Sequence, residues 1–224
     1  MSDSNDTPTT GIPRIGDPAP DFHAVTTHGE IDFHEWQGDS WVVLFSHPAD
    51  FTPVCTTELT EFARKADDFA ARNTKLIGLS IDSIHSHLAW RENIKEKLGI
   101  ELPYPLIADL DTKVAQKYGM IHPNVGTTVT VRAVFVIDPN GVIQALIYYP
   151  LSNGRNIDEV LRLVDSLQTS ATQGVATPVN WQPGDSVVVP PPKTVEAIAD
   201  RADKDYEHVD FYLAFKKDER SADA

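Results

Sequence analysis

The strongest constraint on the fold is a pair of apolar runs, each of strand length, that enclose a segment with helical periodicity. Residues 41–47 and 75–81 are both rich in branched and aromatic side chains. Between them, apolar residues recur at spacings of three and four, at Leu59, Phe62, Ala63, Ala66, Phe69 and Ala70. This pattern predicts a strand-helix-strand unit with parallel strands and a right-handed crossover. We expect the helix to have Thr52 as N-cap and Pro53 as its first residue, and to end near Asn73.

The following part of the chain predicts two further helices and a β-hairpin. Helical spacing covers residues 84–98 and, more briefly, 114–118. Residues 132–138 and 142–148 are apolar and flank an Asp-Pro-Asn-Gly turn sequence, which is typical of an antiparallel hairpin. A last strongly amphipathic helix is expected to bury Ile157, Val160, Leu161, Val164 and Leu167.

The predicted order of elements, βαβ followed by ββα, indicates an α/β protein with a thioredoxin-like fold, in which helices flank a central mixed sheet. Residues 1–12 are small and polar and are expected to form a flexible tail. Residues 13–170 then form the thioredoxin-like domain. Residues 171–224 form a C-terminal extension that prolines interrupt, and its apolar residues are too few for an independent core. We expect this extension to pack on the main domain or on a partner subunit, as a dimerisation element.

Composition excludes several classes of function. Thirty-three acidic residues against 19 basic ones give a formal charge of -14, so nucleic acids and anionic membranes are not expected as partners. A single cysteine excludes an intramolecular disulfide and a multi-cysteine metal site, and it favours a reducing compartment. The amino terminus lacks the features of a signal peptide, and no run of 18 apolar residues occurs. These observations predict a cytoplasmic protein.

The single cysteine, Cys55, falls at the third position of the helix that Thr52 precedes. Unpaired N–H groups and the positive end of the helix dipole favour a thiolate there. A lone intracellular cysteine is more often a small buried hydrophobe. However, the polar sequence Ser-His-Pro-Ala-Asp-Phe-Thr comes before Pro53, where an inert buried cysteine would need apolar neighbours. This context favours a chemical role for the thiol.

Pro48, Thr52 and Cys55 have the spacing P-x-x-x-T-x-x-C, which resembles the signature of the peroxiredoxins. The resemblance extends over residues 13–192 and is closest to the one-cysteine branch with an extended C-terminal domain. The segments that carry it are 47–48, 54–59, 154–156 and 175–181. It implies a thioredoxin-like fold and a thiol-dependent peroxidase that needs no cofactor. Its expected substrates are hydrogen peroxide and alkyl hydroperoxides, and its expected assembly is a homodimer or a higher homo-oligomer.

The resemblance also implies roles for individual residues. Cys55 is the peroxidatic cysteine, the hydroxyl of Thr52 holds the peroxide, and Arg132 supplies a cation. Physical reasoning agrees with this, because attack on an O–O bond places negative charge on the leaving oxygen, which donors aimed at that oxygen stabilise. Four further residues are expected to support the site: Pro48, His47, Glu58 and Arg155. We expect His47 to have a positioning role, and Glu58 and Arg155 to be linked by hydrogen bonds between their charged groups.

Attack on the peroxide converts the thiolate of Cys55 to a sulfenic acid. Since the chain has no second cysteine to resolve it, reduction must come from an external thiol, a thiol-carrying protein or another reductant such as ascorbate. Cys55 is also expected to be prone to over-oxidation when peroxide exceeds reductant.

Three alternative functions remain open from the residues. Ser40 with His34 resembles the segment that gives some one-cysteine relatives an esterase-like activity, although Val42 stands where a G-x-S-x-G elbow needs its last glycine. A cysteine hydrolase could pair Cys55 with His47 or with His122. A redox sensor or holdase would oxidise the same cysteine without turnover.

No metal site is expected from the sequence. His85 and His87 are two residues apart on a predicted helix, so their side chains diverge, and no third ligand is near them in the sequence.

Overall fold

The computed structural model describes residues 11–219, which divide into two compact units, one ending at Ile157 and one starting at Asp158. Most of the predicted tail of residues 1–12 lies outside the described residues. The strands of the amino-terminal unit are β1 (His23–Thr26), β2 (Gly29–Asp32), β3 (Trp41–Ser46), β4 (Thr74–Ser80), β5 (Leu106–Ala108), β6 (Arg132–Ile137) and β7 (Ile143–Tyr149). Its complete helices are α1 (Phe33–Gln37), α2 (Pro53–Arg64), α3 (Ala66–Ala71), α4 (Ile84–Leu98) and α5 (Lys113–Lys117).

The seven strands form one mixed sheet in the order β2-β1-β5-β4-β3-β6-β7. Strands β3, β4 and β5 are parallel to one another, and the remaining pairs are antiparallel. The predicted strand-helix-strand unit and the predicted hairpin are therefore confirmed. Because β3 and β4 run side by side in the same direction, the loops that follow them meet at one edge of the sheet.

The core lies on both faces of the central strands, whose apolar runs are continuous because neither face meets water. On one face, the ring of Phe45 in β3 stacks on Phe62 of α2 with centroids 4.1 Å apart. On the other face, Phe135 in β6 meets the edge of Tyr118 at 5.1 Å. The thioredoxin-like arrangement of a mixed sheet flanked by helices is confirmed.

Two sequence-based expectations about elements need correction. The single helix expected to run from Pro53 to about Asn73 is two helices, α2 and α3. Lys65 joins them. Its backbone angles, φ −99° and ψ 6°, lie outside helical values and therefore interrupt the helix between Arg64 and Ala66. No element is predicted before residue 41, where the structure has β1, β2 and α1; the strands there have only four residues each, too few to show a clear period.

The carboxy-terminal unit, described over residues 158–219, contains most of a long helix and a small sheet. Its elements are α6 (Ile157–Gln173), β8 (Val187–Val188), α7 (Val195–Ala202), β9 (Glu207–Asp210) and β10 (Leu213–Lys216). The antiparallel sheet has the order β8-β10-β9, and a small cluster of Val175, Trp181 and Val187 is buried beside it. Five large apolar side chains of the unit are more than half exposed, namely Val179, Val195, Val209, Phe211 and Tyr212.

In the carboxy-terminal unit, α6 is hydrogen-bonded to the segment that follows it. Arg162 Nη1 donates to the carbonyl of Trp181 at 3.1 Å, and the hydroxyls of Ser166 and Thr177 are 2.6 Å apart. Within residues 11–219, no helix has both the length and the apolar composition needed to cross a bilayer.

Candidate active site

Cys55 is fully buried in the first turn of α2. Pro53 opens the helix without an N–H of its own, and the first helical hydrogen bond is donated by Thr56 N to Thr52 O at 3.0 Å. The N–H groups of Val54 and Cys55 therefore have no acceptor within the helix. They make this turn a favourable environment for negative charge on the sulfur or on a bound oxygen.

Arg132, the first residue of β6, extends its guanidinium to the cysteine. Its Nη1 lies 3.3 Å from Cys55 Sγ and also donates to Glu58 Oε2 at 2.8 Å. Its Nε and Nη2 both donate to the carbonyl of Leu151, at 3.0 and 2.6 Å. Every nitrogen of this buried guanidinium is thus held, so the cation is fixed beside the sulfur.

Glu58 lies one turn after the cysteine and joins Arg132 to a second buried arginine. Arg155 donates from its backbone N and its Nε to Glu58 Oε1, at 2.8 and 2.9 Å, and from Nη2 to Oε2 at 2.8 Å. Burial by itself would raise the pKa of Glu58, but hydrogen bonds from Arg155, and the charges of Arg155 and Arg132, outweigh it and hold that pKa below its ordinary value. Two cations and one carboxylate leave one net positive charge, which a thiolate at Cys55 would neutralise.

Thr52 occupies the N-cap position in an extended conformation, but its hydroxyl does not cap the helix. It donates instead to the carbonyl of Ala49 at 2.8 Å, so Thr52 is the N-cap residue, as expected, without a capping hydrogen bond from its side chain. The oxygen keeps its lone pairs, and the side chain is half-buried. Pro48 is half-buried in the same loop, and Phe51 there has φ 54° with its ring exposed.

His47 belongs to a buried cluster that the sequence analysis missed. Its Nε2 lies 2.9 Å from Asp50 Oδ1, and His87 Nδ1 of α4 lies 2.8 Å from Asp50 Oδ2. Burial lowers the pKa of His47. Burial alone would raise the pKa of Asp50, but hydrogen bonds from both imidazoles bring it well below its ordinary value. The sequence contained a signal for this cluster, because the loops that follow two neighbouring parallel strands meet at the same edge of the sheet.

Within residues 11–219, this cluster is the one group of three or more histidine, cysteine or carboxylate side chains close enough to hold a metal. The potential co-ligands of His87 are His47 and Asp50, which lie far from it in the sequence, and His85 is not among them. However, the contacts of 2.8 and 2.9 Å are hydrogen-bond distances that each accommodate a proton. The arrangement is a hydrogen-bonded chain, and His85 on the same helix points to solvent.

The residues of the alternative functions have other partners. Ser40 Oγ donates to Asn73 Oδ1 at 2.9 Å, and His34 Nε2 lies 3.1 Å from the carbonyl of Ala19. A nucleophilic serine would instead donate to an imidazole. The ring of His122 lies against Tyr148, with centroids 5.2 Å apart.

A mixed thioredoxin-like sheet that holds one cysteine at a helix N-terminus, in contact with a fixed arginine, defines a cysteine-dependent peroxidase. The model of the AhpC/TSA family matches residues 15–146, and the model of the C-terminal domain of 1-Cys peroxiredoxin matches residues 166–204. The chain belongs to the peroxiredoxin family, and it is a thiol peroxidase.

Individual relatives agree along nearly the whole chain. A peroxiredoxin of Aquifex aeolicus (strain VF5) is 55% identical over 216 residues, which cover 92% of this chain and 97% of that protein. The solved structure of a yeast mitochondrial 1-Cys peroxiredoxin is 45% identical with a TM-score of 0.83, covering 91% of this chain and 99% of that one. A cysteine-to-serine mutant of Peroxiredoxin 6 of Arenicola marina is 42% identical with a TM-score of 0.85, covering 94% of this chain and 100% of that one.

Proposed function

We propose that Cys55 is the peroxidatic cysteine and that Arg132 and Thr52 complete the catalytic site. The observation that carries this assignment is the 3.3 Å contact between Arg132 Nη1 and Cys55 Sγ. The thiolate attacks the terminal oxygen of the hydroperoxide, an S–O bond forms and the O–O bond breaks. The leaving oxygen departs with the electron pair and takes up a proton, giving water or an alcohol, while Cys55 becomes a sulfenic acid.

The donors around the sulfur are arranged for this charge movement. The guanidinium of Arg132 and the free N–H groups of the first turn of α2 stabilise the thiolate and then the developing oxyanion. Thr52 can accept a hydrogen bond from the hydroperoxide through its unused lone pairs. Glu58 and Arg155 hold Arg132 in place, and His47 and Pro48 position the loop before α2.

The substrates follow from this chemistry: hydrogen peroxide and alkyl hydroperoxides present the same O–OH group. Because Cys55 is the only cysteine, the sulfenic acid condenses with an external thiol, releases water and forms a mixed disulfide. A second thiol then restores Cys55 and leaves as the external disulfide. The thiol of the yeast mitochondrial relative is resolved via glutathione/thioredoxin systems, and we propose a reductant of the same chemical class here.

A homodimer or higher homo-oligomer is the proposed assembly, with a thioredoxin-like domain over residues 13–170 and a dimerisation extension over residues 171–224. Two features support it. Strand β7 ends the large sheet, and such an edge is open to pairing. Val209, Phe211 and Tyr212 expose apolar surface in the carboxy-terminal unit. The net charge of -14 supports the absence of nucleic-acid and membrane partners, and the lone cysteine supports a cytoplasmic location.

The test is hydrogen peroxide consumption by the wild type and by Cys55→Ser, each with excess dithiothreitol, followed over many equivalents of peroxide per protein. We expect multiple turnovers in the wild type and none in Cys55→Ser, with unchanged circular dichroism. Consumption of a single equivalent would instead identify a redox sensor. Turnover that persists in Cys55→Ser would contradict the assignment.

A further inference from the structure

The side chains of His47, Asp50 and His87 form a continuous buried chain, and the chemistry described above assigns no role to its last member. The three side chains are at most 1% exposed. They come from different elements, since His47 and Asp50 follow β3 while His87 lies in α4, 37 residues after Asp50. Burying three ionisable side chains together costs free energy of folding unless each of them is hydrogen-bonded to the next.

The contacts determine where the protons lie. The carbonyl of Ile107 can only accept, so His87 Nε2, at 3.0 Å from it, carries a hydrogen. The depressed pKa of Asp50 makes it a carboxylate, so both imidazole nitrogens that touch it must be donors. His87 thus bonds to Asp50 through Nδ1 and to the carbonyl of Ile107 through Nε2. His47 donates from Nε2.

This arrangement leaves the other nitrogen of His47 unprotonated. Nδ1 is buried and has no hydrogen-bond partner among residues 11–219. Since His47 N donates to Leu79 O, the backbone continues the strand, and residues two apart on a strand share a face. Phe45, two residues earlier, packs on Phe62 of α2. His47 therefore lies on the face of the sheet that α2 covers, the helix that carries Cys55.

We propose that His87 is a positioning residue for the reaction with hydrogen peroxide: through Asp50 it holds His47 in the tautomer whose Nδ1 accepts a hydrogen bond from one of the two O–H groups of the bound peroxide, and the other O–H remains for Thr52. That hydrogen bond orients the oxygen that Cys55 attacks. The hydrogen stays on this oxygen and becomes the sulfenic acid proton, so no bond to His47 forms or breaks. The inference rests on the proposed role of Cys55.

The backbone of the loop is held independently of His87. Asp50 N donates to Asp82 Oδ2 at 3.0 Å, and that oxygen also accepts from Ser80 Oγ at 2.6 Å. Thr130 Oγ1 donates to the carbonyl of His47 at 2.8 Å. A substitution at His87 should therefore disturb the hydrogen bonding of the His47 ring more than the path of the loop.

Two isosteric variants separate the two hydrogen bonds of His87. In His87→Asn the amide takes the place of Nδ1–H and can still donate to Asp50, whereas in His87→Gln it takes the place of Nε2–H and can reach only Ile107. We expect His87→Gln to slow the oxidation of Cys55 by hydrogen peroxide about 10-fold or more, as removal of an orienting partner does elsewhere. His87→Asn should retain most of the wild-type rate. His85→Gln, on the exposed side of α4, is the matched control and should leave the rate unchanged.

The rate is read by stopped-flow fluorescence, and the tautomer of His47 by nitrogen NMR of the imidazole rings. We expect an unprotonated Nδ1 in the wild type and in His87→Asn, and a mixture of tautomers in His87→Gln. Equal loss of rate and of Tm in both variants, with the His47 tautomer unchanged, would show a purely structural role and overturn the proposal. A protonated Nδ1 in the wild type would also overturn it, without any variant having to fold. Failure of the wild type to turn over would refute the proposed function itself.

Discussion

A single nitrogen of Arg132 contacts both the sulfur of Cys55 and the carboxylate of Glu58. The two other guanidinium nitrogens are bound to one carbonyl, that of Leu151. This geometry requires a planar donor with several N–H groups, because one cation must face the sulfur and remain anchored at the same time. A lysine would carry the same charge but could not hold all of these contacts.

We therefore expect Arg132→Lys to slow the attack of Cys55 on hydrogen peroxide about 100-fold, comparable to the loss of one donor from an oxyanion hole. Stopped-flow measurement of the second-order rate constant tests this expectation. Arg64→Lys serves as the control, since Arg64 is an exposed residue of α2 whose ion pair with Glu61 is solvent-accessible. A rate for Arg132→Lys within threefold of that control would mean that charge alone suffices.

At the scale of elements, the packing of α2 on the sheet depends on the space that β4 leaves for the ring of Phe45. Gly78 lies at the centre of β4, paired with Phe45 on one side and with Leu106 on the other. The ring of Phe45 fills the space above the glycine and supports Phe62 of α2. A side chain at Gly78 would compete with the ring for this space.

Gly78→Ala is expected to destabilise the protein by about 1 to 3 kcal/mol, the usual cost of overpacking a core. A Cβ atom at this position would come within 2.6 Å of Leu106 Cδ2 and 3.2 Å of the Phe45 ring. Urea unfolding gives the free energy of unfolding directly. For comparison, Gly11→Ala adds a methyl group to open space and should be neutral. Equal stability of the two variants would show that the sheet adjusts without cost.

At the scale of the whole molecule, several buried groups make stability depend on pH in the same direction. Burial lowers the pKa of His47, and burial with the charge of Arg91 lowers the pKa of His28. The pKa values of Asp50 and Glu58 are also depressed, by hydrogen bonds that outweigh burial. In each case the unfolded chain binds a proton that the native protein does not, so acidification favours unfolding. Asp109, whose pKa is raised by burial, acts in the opposite sense.

We expect the free energy of unfolding to fall as the pH drops below 6.5, the ordinary pKa of histidine, and to fall more steeply below the ordinary pKa values of 4.5 and 3.8 of the two acids. Each group contributes at most about 1.4 kcal/mol per pH unit. Urea unfolding at pH 7.5, 6.0 and 5.0 measures the slope, and His47→Gln should reduce the part between pH 6.5 and 5.0. Stability that is constant or rises between pH 7.5 and 5.0 would contradict this assignment.

Local features of the fold could be read from the residues alone. The boundaries of α4 over residues 84–98 and the hairpin of β6 and β7 follow from periodicity and turn chemistry, which act over a few neighbouring positions. Cys55 at the third position of α2 follows in the same way from Thr52 and Pro53. The limits also have local causes: Lys65 divides one expected helix into two, although no glycine or proline marks the break.

The assembled site required the tertiary structure, because its contacts join residues that are distant in the chain. Arg132 is 77 residues from Cys55, and Arg155 is 97 residues from Glu58. Family resemblance pointed to these residues, but only the register of the sheet and the packing of α2 place the guanidinium groups around one carboxylate. The pairing of His87 with Asp50 could be expected only in outline, because the parallel strands β3 and β4 bring the segments that follow them together without fixing which side chains meet. Periodicity specifies which face of an element is buried, and long-range packing decides which side chains meet there.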